Sequence, residues 1–498
     1  MYYMGIDVGT GGTRALLADE HGKVRHAFTA SHEEILMEQP LWAEQRPENW
    51  WDAGRQAIRG VLAQANTSGA EIRAIGLSGQ MHGLVLLDRA DAVIRPALIW
   101  CDQRSQAQVD WINRTASKET VLACTANPVL TGFTLPKLLW VRDHEPAYFA
   151  RVRRVLLPKD YLRFRLTGEY ATDVSDASGT ALFDVGHRCW SEELIARLGL
   201  DPHILPSVAE SSCVTAQVSA AAARSTGLAP GTPVVAGAGD QAASAVGNGI
   251  VDPGLVSCTI GTSGVVFAYT HSPAYDPGGR VHTFCHAVPG AWHVMGVTQG
   301  AGLSLQWFRN TLAPEMTYDA LTAEAAGAPP GSHGLFWLPY LMGERTPHLD
   351  PRARGGWIGL TAGHTRADLI RALLEGVSFS QKDCLEIVER MGVPVESVRL
   401  SGGGAASPLW RQLLADVLGK RAVVLETHEG SAYGAALLAM VGTGAFGSVR
   451  DLCRTAIRER ESIEPRPREA QIYAEGHRTY QSFYPALSSF YHSSEPRP

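Results

Sequence analysis

Over the first 35 residues, apolar and polar positions alternate in three short runs. Met4, Ile6 and Val8 alternate with Gly5 and Asp7, "TRALLAD" follows, and the polar turn "EHGK" leads into "VRHAFTAS". This rhythm predicts a β-meander of half-buried strands. Apolar residues recur at helical spacing in "PENWWDAGRQAIRGVLAQA" (47–65), which predicts an amphipathic helix, and "IRAIGLSGQ" (72–80) predicts a strand that ends in a glycine turn. Hairpin strands, a helix and a further strand together describe an α/β lobe with a mixed sheet.

The pattern changes at "GTPVVAGAGDQAASAVGNGIVDPG" (231–254), where a buried strand runs into a glycine turn, a helix of small residues and a Gly/Pro break. A pivot is expected there, with domains at 1–249 and 250–498. Beyond it, "GLVSCTIGTSGVVFAYT" (254–270) echoes the opening: Thr259-Ile-Gly-Thr-Ser-Gly stands where Asp7-Val-Gly-Thr-Gly-Gly stood. The same strand, Gly-Thr-x-Gly turn and strand opening each half points to duplication. A long amphipathic helix is expected over 367–391, a strand emptying into three glycines over 398–407, and another helix over 408–419. In the Arg/Glu/Pro-rich tail, Tyr473, Tyr480 and Phe483 read as packing residues of a helix, and "SSEPRP" (493–498) as disordered.

Length and composition narrow the reading. A chain of 498 residues is too long for one ordinary core, and 45% apolar with 19% charged residues is a globular composition. A net charge of −6 without a basic cluster argues against nucleic acid or an anionic membrane as partner. The charge-poor stretch around 253–279 is rich in Gly, Ser, Thr and Pro and reads as strands and turns rather than a membrane span. Eight cysteines without a C-x-x-C pair fit neither a zinc knuckle nor a disulfide scaffold, so mostly buried thiols in a reducing cytoplasm are expected. No secretory signal is expected, because Asp7 interrupts the only apolar candidate. Histidines 282, 286 and 293 do not form a metal-ligand pattern.

Three glycine turns follow apolar strands: Gly9-Thr10-Gly11-Gly12, Gly261-Thr262-Ser263-Gly264 and Gly402-Gly403-Gly404. Each alone could be a tight turn; together they suit a nucleotide triphosphate, because glycine lets backbone N–H groups crowd an anion. Neither the P-loop motif nor G-x-G-x-x-G is present, since Arg14 takes the place of the last glycine. Arg14 is a candidate phosphate ligand or an exposed strand residue. Asp7 could hold Mg²⁺ beside phosphates or cap the hairpin. Asp240 stands where a helix N-cap would, and equally where a base could take a proton from a substrate hydroxyl. Gln80, His82, Asp102 and Arg104 could bind the hydroxyls of a polyol, although Asp102 and Arg104 could form only a surface ion pair.

The stretches "GIDVGTGGTRALLAD", "GFTLPKLLWVRDHE" (132–145), "AGAGDQAASAVG" (236–247), "IGTSGVVF" (260–267), "GERTPHLDPRARG" (343–355) and "GWIGLTAGHTRADLIRALLEG" (356–376) occur in order. They resemble the FGGY family of carbohydrate kinases, of the sugar kinase, heat-shock protein 70 and actin superfamily. "SGQMHG" (78–83), "LLPKDYLRFRLTGEYATDVSDASGT" (156–180) and "FCHAVPGAWHVM" (284–295) resemble the branch that acts on D-xylulose.

The resemblance implies two ribonuclease-H-like, actin-like ATPase domains with mixed sheets flanking a central cleft. It implies ATP as co-substrate and Mg²⁺ as cofactor. Asp240 would be the general base for the sugar's C5 hydroxyl and, with Asp7, would lie at the metal. Gly9 to Gly12, Arg14, Gly261, Thr262, Ser263, Gly302, Gln306 and Gly402 to Gly404 would bind ATP. Gln80, Met81, His82, Trp100, Asp102 and Gln241 would line the sugar. Glycerol kinases carry an Arg-Glu pair where this chain has Met81-His82, and Pro408 replaces a polar residue that some relatives place near adenine. Kinases for L-ribulose, L-fuculose, gluconate or erythritol-like polyols are alternatives, as is a non-catalytic actin-like nucleotide binder. Relatives of this kind make a homodimer plausible.

Overall fold

The computed structural model describes residues 1–427 and 429–493. Apart from Ser493, the tail segment "SSEPRP" therefore lies outside the described residues. The opening meander forms as the alternation requires. Strands β1 (Tyr2–Val8), β2 (Gly12–Asp19) and β3 (Val24–Ser31) pair antiparallel in chain order. Their inward residues Met4, Ile6, Val8, Ala15 and Leu17 are fully buried in one core with Trp50, Ala57 and Ile58 of α1 (Pro47–Gln64). Pro47 at the first helical position and Glu48 in the first turn both suit a helix start.

Strand β4 (Ile72–Gly79) runs parallel to β1, and β5 (Val214–Gln217) and β6 (Pro233–Val235) extend the sheet beyond it in the order β5-β6-β4-β1-β2-β3. The two-residue strand Ala238–Gly239 pairs with the end of β4 and leads into α2 (Asp240–Gly247).

The second half builds the same frame. Strands β7 (Gly254–Ile260), β8 (Gly264–Thr270), β9 (His282–Cys285) and β10 (Trp292–Thr298) are followed by α3 (Ala301–Leu312) and α4 (Arg366–Arg390). Then come β11 (Val395–Ser401), α5 (Pro408–Leu418), β12 (Arg421–Leu425), α6 (Gly430–Gly442), β13 (Glu459–Ile463) and α7 (Pro467–Ser493). The sheet order is β9-β10-β8-β7-β11-β12-β13. β7 lies between antiparallel β8 and parallel β11, as β1 lies between antiparallel β2 and parallel β4. The outer neighbours β3 and β10 correspond as well. A six-residue echo in the sequence is thus a four-strand repeat in space.

One helix belongs by sequence to the second half and by packing to the first. α6 presses against β1, β4 and α2, and glycine makes the approach possible. A Cβ on Gly5 would stand 1.8 Å from the Ala432 carbonyl oxygen, and one on Gly434 would stand 1.8 Å from that of Ala243. In the tail, Tyr473 and Tyr480 are buried in the second core and Phe483 packs against it, as their spacing predicts. All eight cysteines are free, but only Cys258, Cys285, Cys384 and Cys453 are buried, and Cys189 and Cys213 are exposed. The expectation of mostly buried thiols therefore holds for half of them. Among the described residues no helix is long and apolar enough to cross a membrane.

Candidate active site

The carboxylates singled out by sequence lie at the ends of two strands that both pair parallel with β4. Asp7, Ser78 and Ala238 lie in register across three strands, as do Val8, Gly79 and Gly239, and Asp240 follows at once. Ligands of α/β sheets bind at such carboxyl ends. Gly239 occupies the N-cap of α2 without a side-chain cap bond, and Asp240 is the first helical residue. Its side chain is therefore not the helix cap. Burial, reinforced by the charge of Asp7 and opposed by Gln241, pushes the Asp240 carboxyl up to about 7. Burial also pushes Asp7 up to about 6, against the Ser78 hydroxyl and the charge of Arg14. Among the described residues, Asp7 Oδ1 is buried without a hydrogen-bond partner.

The first glycine turn is scaffolded from four sides. Gly9 N–H donates to the Gly12 carbonyl at 3.0 Å. Gln45 Nε2 donates to the Thr10 carbonyl at 2.8 Å, Gln80 Nε2 to that of Gly9 at 3.4 Å, and Trp100 Nε1 to Thr10 Oγ1 at 3.0 Å. His32 Nδ1 lies 3.3 Å from the Thr10 carbonyl. Gln80 and Trp100, expected along the sugar, thus hold the turn, with Gln80 buried and bonded also to Gln45 at 3.0 Å.

The second turn closes the same way, with Gly261 N–H on the Ser263 carbonyl at 3.0 Å. The amino end of α3 seals it: Gly302 N–H donates to the Gly261 carbonyl at 2.7 Å, so close that a Cβ on Gly302 would stand 2.5 Å from that oxygen. Gln306 is exposed one turn further along α3. The third turn begins at Gly402, with φ +80°, where a Cβ would meet the Ile260 carbonyl at 2.5 Å. β7 and β11 are neighbours, and Thr259 Oγ1 bonds Ser401 Oγ at 2.7 Å, so the second and third turns lie side by side.

Residues 429–431 tie the two frames together. Arg14 Nη2 pairs with Glu429 at 2.6 Å, its Nη1 donates to Thr29 Oγ1 at 2.8 Å, and Ser431 Oγ donates to the Asp240 carbonyl at 3.1 Å. Arg14, expected at phosphate, thus also pairs with a carboxylate from the second half of the sequence.

The positions expected to line the sugar separate into two groups. Asp102 is fully buried, and its carboxylate is filled by Arg104 Nε at 2.9 Å, Arg104 Nη2 at 2.7 Å and Ala43 N–H at 2.7 Å. The Arg104 guanidinium lies 3.6 Å from the Trp42 ring centre. The pair is therefore an interior clamp and not a surface ion pair. Met81 packs on Gly239, where a Cβ would lie 2.9 Å from Met81 Cγ. His82 has φ +69°, and its carbonyl accepts from Lys137 Nζ at 3.0 Å and Thr134 Oγ1 at 3.2 Å. Its Nδ1 lies 2.7 Å from the Gly179 carbonyl and its ring stacks on Phe133 at 4.7 Å. Burial, with the charges of Lys137 and Arg345, pushes His82 down to about 3, so its imidazole is neutral.

Residues 2–247 match the model of the FGGY family of carbohydrate kinases, N-terminal domain, and residues 256–443 match that of its C-terminal domain. The chain belongs to the FGGY family of carbohydrate kinases. It is similar to the xylulose kinase of Escherichia coli, 40% identical over 97% of this chain and 99% of the relative, and to that of Bacillus subtilis, 39% identical over 97% and 96%. A crystal structure of a xyloylose kinase from Brucella ovis superposes with a TM-score of 0.92 at 39% identity, covering 98% of this chain and all of that one. The two repeated frames are accordingly the two ribonuclease-H-like, actin-like ATPase domains of that family.

Behind Asp240 the kinase holds a charged cluster that no local pattern marked as a unit. Gly239 N–H donates to Ser175 Oγ at 3.1 Å, and Ser175 Oγ donates to Asp173 Oδ2 at 2.5 Å. Lys159 Nζ lies 2.6 Å from Asp160, 3.0 Å from Asp173 and 3.6 Å from Asp176, all four side chains fully buried. Asp176 accepts no hydrogen bond among the described residues; burial and the charges of Asp160, Asp173 and Asp240 hold it well above the carboxylate range despite Lys159. Lys159 and Asp176 both belong to the 156–180 stretch, and Thr134 and Lys137 to "GFTLPKLLW". The stretches that carried the resemblance are the ones that hold Asp240 and His82 in place.

Proposed function

We propose that this kinase transfers the γ-phosphoryl group of ATP to the C5 hydroxyl of D-xylulose, giving D-xylulose 5-phosphate and ADP. The observation that carries the reading is a buried carboxylate with proton affinity raised toward neutrality, Asp240, next to Gly239, which packs against Met81. The xylulose kinases to which the chain is similar supply the sugar.

In this reading Asp240 takes the proton of the C5 hydroxyl as that oxygen attacks phosphorus, and the glycine turns bind the phosphates through backbone N–H groups. Asp7, with a buried oxygen that lacks a partner, fits Mg²⁺, and Asp240 is the second carboxylate within reach of that charge. Magnesium, when bound, neutralises charge on the β- and γ-phosphates. The two lobes close around the sugar, excluding water that would otherwise hydrolyse ATP. The pivot near residues 240–254 absorbs the motion. The free thiols support a reducing, cytoplasmic compartment.

An ADP-release assay over D-xylulose, L-ribulose, L-fuculose, gluconate and erythritol tests the substrate. Saturable turnover with D-xylulose at the highest kcat/KM is expected; preference for another acceptor overturns the sugar, and ATP binding without turnover on any of them overturns the kinase reading of the site. The pH dependence follows from Asp240. A base raised to about 7 is inactive when protonated, so kcat/KM falls about tenfold per unit below about pH 7 and levels off above it. Initial rates from about pH 5.5 to about pH 9 check this, and a flat profile there contradicts the assignment.

A further inference from the structure

Arg345 is a cation that the cleft leaves without a counter-charge. Its side chain is half-buried and its guanidinium makes no hydrogen bond or ion pair among the described residues, and desolvation pushes its pKa down to about 10. The neighbouring Glu344 does not answer it, because Glu344 Oε1 accepts from the backbone N–H of Gln299 at 2.8 Å and of Arg345 at 2.7 Å. Drawing a guanidinium part-way out of water without a partner carries a cost. An oxygen-rich ligand would remove that cost.

Two histidines define the chemistry around it. His82 Nδ1 faces the Gly179 carbonyl, which can only accept, so Nδ1 carries the proton and Nε2 is a bare acceptor. His282 Nδ1 lies 3.1 Å from Asn127 Oδ1. The Asn127 amide nitrogen donates to the Thr125 and Thr283 carbonyls, which fixes Oδ1 as an acceptor and again leaves Nε2 bare. Both rings flank Phe133, at 4.7 Å and 5.8 Å. Arg345 is delivered to the same place by the backbone: Thr346 N–H donates to the Val297 carbonyl at 2.9 Å, two residues from Met295, the register partner of His282. Burial is the main cause of the lowered proton affinity of both rings, and the charge of Arg345 adds to it, after that of Lys137 at His82.

We infer that Arg345, with His82 and His282, is the specificity-determining subsite for the hydroxyketone end of the sugar, the end remote from the phosphorylated hydroxyl. The guanidinium donates to the carbonyl oxygen, and the bare Nε2 atoms accept from the hydroxyls beside it. The subsite therefore prefers a ketose to the alditol of the same carbon skeleton. This inference rests on the proposed ketose kinase activity.

The test compares D-xylulose with xylitol in wild type, Arg345→Lys and Arg345→Met. Wild type is expected to favour D-xylulose. Arg345→Met is expected to raise the KM for D-xylulose about 10- to 100-fold, the range for removing a charged donor, with the KM for ATP unchanged and the preference over xylitol reduced. Arg345→Lys keeps the charge, so its loss of preference is expected to be smaller. Tryptophan-fluorescence titration with ATP verifies that each variant is folded. A wild type indifferent between the two acceptors, or a folded variant with unchanged KM for D-xylulose, overturns the inference. A rise in KM for ATP in place of the sugar also overturns it, by placing Arg345 on the phosphates. If wild type instead selects another ketose in the acceptor panel, the D-xylulose assignment fails, and the comparison runs on that ketose and its alditol with the same outcomes.

Discussion

Asp240→Asn is expected to lower kcat/KM by at least about 10²-fold while leaving the thermal midpoint near that of wild type. The substitution keeps the shape of the side chain and removes its ability to take a proton. It does not uncap α2, because Gly239 holds the N-cap. It also removes a charge that burial already disfavours, so no loss of folding free energy is expected. Steady-state assay with calorimetry on the same preparation separates the two effects. Turnover within a few-fold of wild type would show that another group takes the proton; a large fall in the midpoint would show that the carboxylate is structural.

Lys159→Met is expected to have the largest effect on stability. The lysine is the only cation within ion-pair distance of Asp160, Asp173 and Asp176 among the described residues, and all four groups are fully buried. Removing one partner of such a cluster costs about 3–5 kcal/mol, because the remaining charges stay desolvated. A lower urea midpoint, or loss of soluble protein, is the expected reading. Asp176→Asn provides the contrast: both of its carboxylate oxygens lack hydrogen bonds, so the change is expected to be neutral or stabilising. A wild-type midpoint in Lys159→Met would show that the carboxylates are protonated and need no cation. A strongly destabilised Asp176→Asn would show that Asp176 is a needed acceptor.

Much of the frame was legible along the chain. Period-two alternation placed β1 to β4 within a residue or two, because a half-buried strand must alternate. Helical spacing did the same for α1, α4 and α5. The Gly-Thr-x-Gly echo disclosed the repeat, because a backbone that turns within three residues after a buried strand needs glycine in both halves. Asp7 and Asp240 stood out because a carboxylate at the end of an apolar strand has to be compensated.

Partnership was decided only in three dimensions. The family resemblance set Gln80, Trp100 and Asp102 along the sugar, and the sequence alone showed none of their partners. The fold spends the first two on the Thr10 turn and the third on Arg104 and Ala43. Gln45 and His32, which brace the same turn, carry no local mark, since their partners lie 22 to 71 residues away when Gln80 is counted with them. Arg14, expected at phosphate, also pairs with Glu429, more than four hundred residues on, and no local pattern announced that partner. The sequence by itself determined which segments are strands and helices, that they repeat, and which two carboxylates need explaining, because these follow from spacing and from the cost of burying charge. Tertiary structure decided the N-cap at Gly239, the crossing of α6 onto the first sheet, the single lysine among three aspartates, and the unpaired guanidinium of Arg345. Each of those depends on which distant groups share a small, dry volume, and periodicity contains no information about that.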